Sequence, residues 1–313
     1  MFTYHRRIQS STVFDRHQAP PIADKTTDDA YAYRTAQNSV SCLYQAHIAG
    51  VWRNVTVQWS KNLMTHSMSI TVDSYDGQQL HYQSCKIDLK PWHFWSKKGY
   101  KSFDVDDADV DVYWDLRSAK FNGSPEPSSD YYVAVVSDDE VVLLLGDCSK
   151  KAYKRTKSRP ALADAILCYK KENVFSKKSF STKARFDDRS QREHDIVVEC
   201  SNSWPRDPEM WISVDGIVLI HIKNLQWKFR GNQTISVGSQ AVQVFWDVHD
   251  WLFKALGTGH GLFIFKPAAG EEYGDDGDAE SGSDGSGSRY HSTHSCAGRS
   301  SQFCLFLYAW KME

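Results

Sequence analysis

Residues 95–116 recur without a gap at 227–248. Trp95, Gly99, Val105, Val110, Val112, Trp114 and Asp115 are matched by Trp227, Gly231, Val237, Val242, Val244, Trp246 and Asp247. Lys98, Ser102, Phe103, Tyr113 and Leu116 meet the conservative partners Arg230, Thr234, Ile235, Phe245 and Val248. An internal repeat constrains architecture before any motif does, because both copies have to fold the same way locally. The likeness extends outward. Met68–Asp73 is answered by Met210–Asp215, Val55–Val57 by Ile196–Val198, and 131–137 by 261–266. The hairpin expected at 131–145 is therefore expected again as 261–266 paired with 302–310.

The local pattern is that of strands. Short β-branched and aromatic runs at 39–48, 53–59, 67–73, 80–88, 108–115, 131–137 and 140–145 alternate with turn signals such as Asp76-Gly77 and Asn122-Gly123. Along 109–115, Val110, Val112 and Trp114 share one face and Asp109, Asp111, Tyr113 and Asp115 the other. A period of two with one wet face specifies antiparallel sheet. The fold class that follows is mainly β: two tandem antiparallel sandwich or barrel units from an internal duplication, with one helix in the linker.

The expected organisation runs as follows. Residues 1–36, polar and aperiodic, form a disordered arm. Residues 37–148 form the first β unit. A basic linker at 149–179 holds a helix at about 160–173, with Ser158 as cap, Pro160 in the first turn, and Leu162, Ala165, Ile166 and Tyr169 as its apolar stripe. Residues 180–313 form the second β unit, interrupted at about 268–300 by a disordered acidic Gly/Ser loop. Seven Asp or Glu and no basic residue lie at 271–284, where the first unit has only a tight turn.

Hydrophobic residues make up 41% of the 313, enough for real cores, and the net charge of −2 supplies no global pull toward nucleic acid or membrane. Seven dispersed Cys without a C-x-x-C pair suit a reduced protein better than a disulfide framework. The opening MFTYHRRIQSS lacks the apolar stretch of a secretory signal, and the longest apolar run, Phe303–Trp310, is too short to span a bilayer. The expected location is cytoplasmic, nuclear or both.

The strongest local charge signal is basic. Between Lys150 and Arg185 there are 12 Lys or Arg against Asp164 and Glu172. Lys150, Lys151, Lys154, Arg155, Lys157 and Arg159 are its densest part and the candidate site for an anionic partner. Nucleic acid is disfavoured, because only Tyr153 interleaves that cluster. The acidic turn Asp104, Asp106, Asp107, Asp109 and Asp111 lacks EF-hand spacing and becomes Ser236, Gly238, Ser239, Ala241 and Gln243 in the second copy. A charged strand and turn is its expected role. The Trp-Asp pairs at 114–115 and 246–247 read as core tryptophans with turn-bonding aspartates. No H-E-x-x-H, zinc-spaced Cys/His set or G-x-S-x-G elbow occurs. No catalytic, cofactor-binding or metal-ligating residue is nominated, and no cofactor is expected.

Several long segments resemble a plant family of uncharacterised proteins, the domain of unknown function 868 family. They include AQNSVSCLYQAHIAGVWRNVTVQW, CKIDLKPWHFWSKKGYKSF, VDVYWDLRSAKF, GSPEPSSDYYVAVVSD, KKAYKRTKSRPALADAILCYKKENVF, DPEMWISVDGIVLIHIKNLQWKFRGNQT and QVFWDVHDWLF followed by HGLFIFKP. The similarity spans about 36–313. It implies a plant source and brings no assigned activity and no catalytic residues.

The function expected from the residues is a non-enzymatic binding or scaffold protein that offers a basic surface to an acidic protein or anionic lipid. A fold-level analogy with pleckstrin-homology-like barrels would direct that surface to phosphoinositides. The alternative is a hydrolase or carbohydrate-active enzyme with a site in a barrel mouth or between the units. A concave pocket with convergent polar groups favours the alternative, and a filled apolar seam favours the scaffold.

Overall fold

Alternating residues with one buried and one wet face require sheet, and nearly every segment with that pattern is a strand. The computed structural model describes residues 38–62, 65–76, 79–89, 97–176, 178–187, 192–201, 207–255, 258–268 and 303–311. The expected arm at 1–36 and all but Ala268 of the acidic loop expected at about 268–300 lie outside those residues. In chain order the elements are β1 (Asn38–Ile48), β2 (Val51–Lys61), β3 (His66–Asp76), β4 (Gln79–Leu89), β5 (Lys98–Val105), β6 (Ala108–Asp115), β7 (Tyr132–Ser137), β8 (Glu140–Leu145), α1 (Ser149–Thr156), β9 (Arg159–Pro160), β10 (Ile166–Ser176), β11 (Ser179–Ala184), β12 (His194–Ser201), β13 (Glu209–Val214), β14 (Ile217–Ile222), β15 (Arg230–Val237), β16 (Gln240–Asp247), α2 (His249–Phe253), β17 (His260–Pro267) and β18 (Cys304–Lys311).

They form three sheets. A nine-stranded sheet has the order β15-β16-β17-β18-β10-β1-β2-β3-β4, a four-stranded sheet β11-β12-β13-β14, and a five-stranded sheet β5-β6-β7-β8-β9. Pairing is antiparallel except for β10 with β18 and β8 with β9. Both smaller sheets lie on the same face of the large one. Cys42 of β1 is level with Lys170 of β10, and Lys170 with Leu305 of β18, so these side chains share a face. On that face β1 and β2 give Val40, Cys42, Val55 and Val57 to a core with β6 and β7. Further along it, β17 and β18 give Phe263, Phe265, Leu305 and Leu307 to a core with β12 and β13. Leu167 of β10 packs against both cores. Residues Ala36–Glu313 accordingly pack as one unit.

The repeated segments form hairpins of identical register. Gly99 is opposite Trp114 as Gly231 is opposite Trp246, and Lys98 is opposite Asp115 as Arg230 is opposite Asp247. The close approach explains the glycines: a Cβ at Gly99 would sit 2.8 Å from the Trp114 ring, and one at Gly231 2.4 Å from that of Trp246. The expected pairing of 261–266 with 302–310 is present as β17 with β18, Phe265 level with Leu305.

Two expectations need correction. The sheets are open and no barrel closes among the described residues. The helix expected at about 160–173 is not a helix. Residues 166–176 are β10, held between β1 and β18, and Leu162, placed on the apolar stripe, is 96% exposed. Two flanking strands satisfy the main chain of β10 on both sides, and that tertiary pairing overrides a helical period only a few residues long. The helix of this region lies earlier, at α1, at the start of the basic linker expected at 149–179.

Candidate functional site

Two places carry unusual charge: the outer surface of α1 and the seam between the two cores. Helix α1 is poorly made by local rules. Cys148 gives it no side-chain cap, no acid occupies its first turn, and Lys150 and Lys151 stand where the helix dipole disfavours cations. Lys154 and Arg155 suit its last turn, and Lys157 ends it in the left-handed region (φ 60°), donating its N–H to Tyr153 O. Tertiary packing holds it in place. Ala152 is fully buried against Tyr132, Ala134, Val136 and Val141 on the outer face of the five-stranded sheet, with Tyr113, Leu144, Cys148 and Tyr153 around it.

The packing sorts the six predicted cations. Lys150, Lys151, Lys154, Arg155 and Lys157 are exposed, and among the described residues none has an ion-pair partner. Arg159 is engaged, with Nη2 2.8 Å from Glu140 Oε1. The fold also brings aromatic residues to this surface that the sequence separates from it. Tyr100 and Tyr113 stack with centroids 5.6 Å apart. Tyr113 packs on the same cluster as Ala152 and Tyr153 of α1, and burial and Asp111 hold its phenol above the ordinary range.

The second place was not read from the sequence. A cleft of about 1030 Å³ is floored by β1 and β10 and walled by the 122–128 loop, Tyr131 and the end of β8 on one side and by β11 on the other. At its base Lys170 Nζ lies 2.9 Å from Glu172 and 3.3 Å from Glu126, and donates to Lys183 O. Thr182 donates to the same Glu172 oxygen at 2.6 Å. Glu172 and Thr182 are buried, and Cys42, Tyr44 and Tyr131 adjoin them. Burial alone would discharge Lys170, but Glu172 and Glu126 outweigh it and hold the ammonium above the ordinary lysine range. Burial, reinforced by Glu126, pushes up the Cys42 thiol, and burial does the same for the Tyr44 and Tyr131 phenols. The cleft therefore contains a fixed ammonium, a protonated thiol and protonated phenols. None of these is poised as a nucleophile or base near neutral pH.

The other predicted features resolve as structure. Asp106 sits in a left-handed turn conformation (φ 49°) and pairs with buried Arg53 at 2.6 Å, so it clasps the β5–β6 turn to β2. Asp104, Asp109 and Asp111 line the wet face. Asp104 shares a hydrogen bond with Asp109 that raises the latter's pKa. Asp115 and Asp247 perform the same task in the two hairpins. Each pairs with the opposite cation, and each accepts a main-chain N–H two residues on, from Arg117 and His249. Trp114 is buried, Trp246 is half-buried with its indole N–H on Lys228 O, and Trp227 is 82% exposed. No helix among the described residues is long and apolar enough to cross a membrane.

A family model described as "Plant protein of unknown function (DUF868)" matches residues 35–311. No curated protein and no solved structure matches the chain.

Proposed function

We propose that this chain, which belongs to the DUF868 family of plant proteins, is a non-enzymatic binding or scaffold protein that presents the outer face of α1 to an acidic partner, a protein or an anionic lipid surface. The observation that carries this is the set of five exposed cations, Lys150, Lys151, Lys154, Arg155 and Lys157, that have no ion-pair partner among the described residues, with Lys150 and Lys151 standing where the helix dipole disfavours them. Residues that break a local stability rule, and that packing elsewhere has to compensate, mark function more often than framework. Clustered exposed cations raise the local concentration of an anionic surface and speed encounter with it. The seam is consistent with this, since burial holds its Cys42 thiol and its Tyr44 and Tyr131 phenols protonated, and Glu172 and Glu126 are engaged by Lys170. The shared register of the β5–β6 and β15–β16 hairpins supports two duplicated β units, with 149–179 joining them through β10. A location in the cytoplasm, the nucleus or both belongs to the same proposal.

The test replaces Lys150, Lys151, Lys154 and Arg155 with Glu. Wild type is expected to sediment with phosphatidylcholine vesicles containing phosphatidylserine, or to be retained by immobilised polyglutamate, and to release as salt rises. The variant is expected to lose this binding with its unfolding midpoint kept. Wild type that ignores both probes, or a variant that binds as wild type does, sinks the proposal.

The second reading, a hydrolase or carbohydrate-active enzyme, rests on the seam cleft and its convergent polar groups. A turnover assay on neutral oligosaccharides separates the two readings, because a binding protein gives no product.

A further inference from the structure

Leu162 is the most exposed large apolar side chain among the described residues, at 96%. It lies in the short link from β9 to β10 and packs on neither core. Its spacing from two other residues gives it a use. Leu162 stands four residues after Ser158, and exposed Arg155 stands three residues before that serine. Ser158 caps no helix. Its N–H donates to Thr156 Oγ1 at 3.3 Å and its hydroxyl to Thr156 O at 3.4 Å, both only two residues back.

The chain around Ser158 is lightly held. Lys157, left-handed at φ 60°, already turns it out of α1. β9 is two residues long and lies at the edge of the five-stranded sheet. Its attachments include Arg159 N–H to Asp139 O at 3.0 Å, Ala161 N–H to Val141 O at 3.4 Å, and the Arg159–Glu140 ion pair. Within 156–162, Ala161 is the apolar side chain that packs on a core, and it does so only partly buried. Freeing this stretch as an extended segment therefore opens one helix end and one minimal edge strand, a local event that leaves both cores intact. Spacing without such freedom is not enough. Thr56 also follows an arginine, Arg53, by three residues, but it is locked in β2 between Leu43 of β1 and Thr71 of β3.

We propose that Ser158 is a phosphorylation site, read by a protein kinase whose substrate groove takes arginine three residues before the acceptor and an apolar residue four after it. Arg155 fills the first subsite and Leu162 the second. The Ser158 hydroxyl oxygen bonds to the γ-phosphorus of ATP, the bond from that phosphorus to the bridging oxygen breaks, ADP leaves, and the hydroxyl proton passes to the kinase's catalytic aspartate. The product places about 1.5–2 negative charges among Lys154, Arg155, Lys157 and Arg159. Resting on the reading of α1 as the surface for an acidic partner, this makes phosphorylation the signal that releases the partner.

Phosphate transfer to the full chain tests the site. The chain is incubated with ATP and AMP-activated protein kinase, a kinase with that kind of groove, and phosphate is located by peptide mass spectrometry. Wild type is expected to take up phosphate at Ser158. Arg155→Ala and Leu162→Ala are each expected to slow that uptake at least about tenfold. Leu162→Ala should keep the wild-type melting midpoint and the wild-type vesicle binding of the unmodified chain, because Leu162 neither packs nor carries charge. Phosphorylated wild type is expected to bind phosphatidylserine vesicles at least about tenfold more weakly than the unmodified chain. No uptake at Ser158, or uptake there indifferent to both substitutions, overturns the site. So does phosphate confined to Ser10, which has Arg7 and Phe14 at the same spacings outside the described residues. Equal vesicle binding before and after phosphorylation overturns the switch. If the unmodified chain ignores the vesicles while Ser158 takes up phosphate, the function proposed for α1 fails and the site stands.

Discussion

At the scale of single residues, burial decides what a charge is for. Lys170 sits at the base of the seam with Glu172 buried beside it, so the ammonium balances a carboxylate that is largely removed from solvent. Lys170→Ala leaves that carboxylate unpaired and is expected to cost about 3–5 kcal/mol in urea unfolding. Glu126→Gln should cost clearly less, because the Glu126 side chain is 27% exposed and Glu172 still balances Lys170. Asp215 makes a different prediction. The His194 ring and the Asp195 N–H, at 2.9 and 3.0 Å, hold its carboxyl below the ordinary carboxylate range. A depressed carboxyl stabilises the fold at pH above its unfolded value of 3.8, and that contribution disappears as pH falls through the lower folded value. Asp215→Asn should therefore flatten the acid limb of stability measured between about pH 5 and pH 2, and an unchanged slope would contradict the assignment. Neither residue declared its role in the sequence. Lys170 was one of a dozen cations in a basic stretch, and only the pairing of β10 with β1 and β18 turned it inward.

At the scale of elements, periodicity was legible and partnership was not. β1–β4, β6–β8 and the wet and dry faces of β6 follow from alternation, and the β17–β18 pairing follows from the repeat, whereas β5 is a strand that alternation does not announce. The glycines of the repeated hairpins follow from it too, once their cross-strand tryptophans are known. Gly231→Ala should destabilise by about 1–3 kcal/mol through overpacking against Trp246, and Gly99→Ala by less, since its nearest ring atom is farther away. A denaturant series on the two variants checks the order. The segments 160–173 and 149–156 carry competing helix signals. The first has a helical apolar spacing and a Pro start. The second has neither a cap nor a favourable first turn. What makes α1 a helix is the sheet beneath it, where Ala152 fits against Ala134 and Tyr132. What makes 166–176 a strand is the slot between two other strands.

At the scale of the whole molecule, β10 is shared property. It completes the sheet of the first core, completes that of the second, and carries Lys170 and Glu172 between them. Thermal unfolding of the full chain should therefore be one cooperative transition for residues 36–313, with calorimetric and van't Hoff enthalpies in agreement. Two resolved transitions would mean that the halves stand alone. The sequence by itself determined the strand-rich class, the turns, the paired hairpins and the density of the basic cluster, because each depends on neighbours a few residues apart. The tertiary structure alone decided that α1 displays five exposed cations on the sheet face that carries the stacked tyrosines, and that a polar cleft divides the two cores. Those properties depend on which strand lies next to which across more than a hundred residues, and a two-residue period fixes a side chain's face without fixing its neighbour.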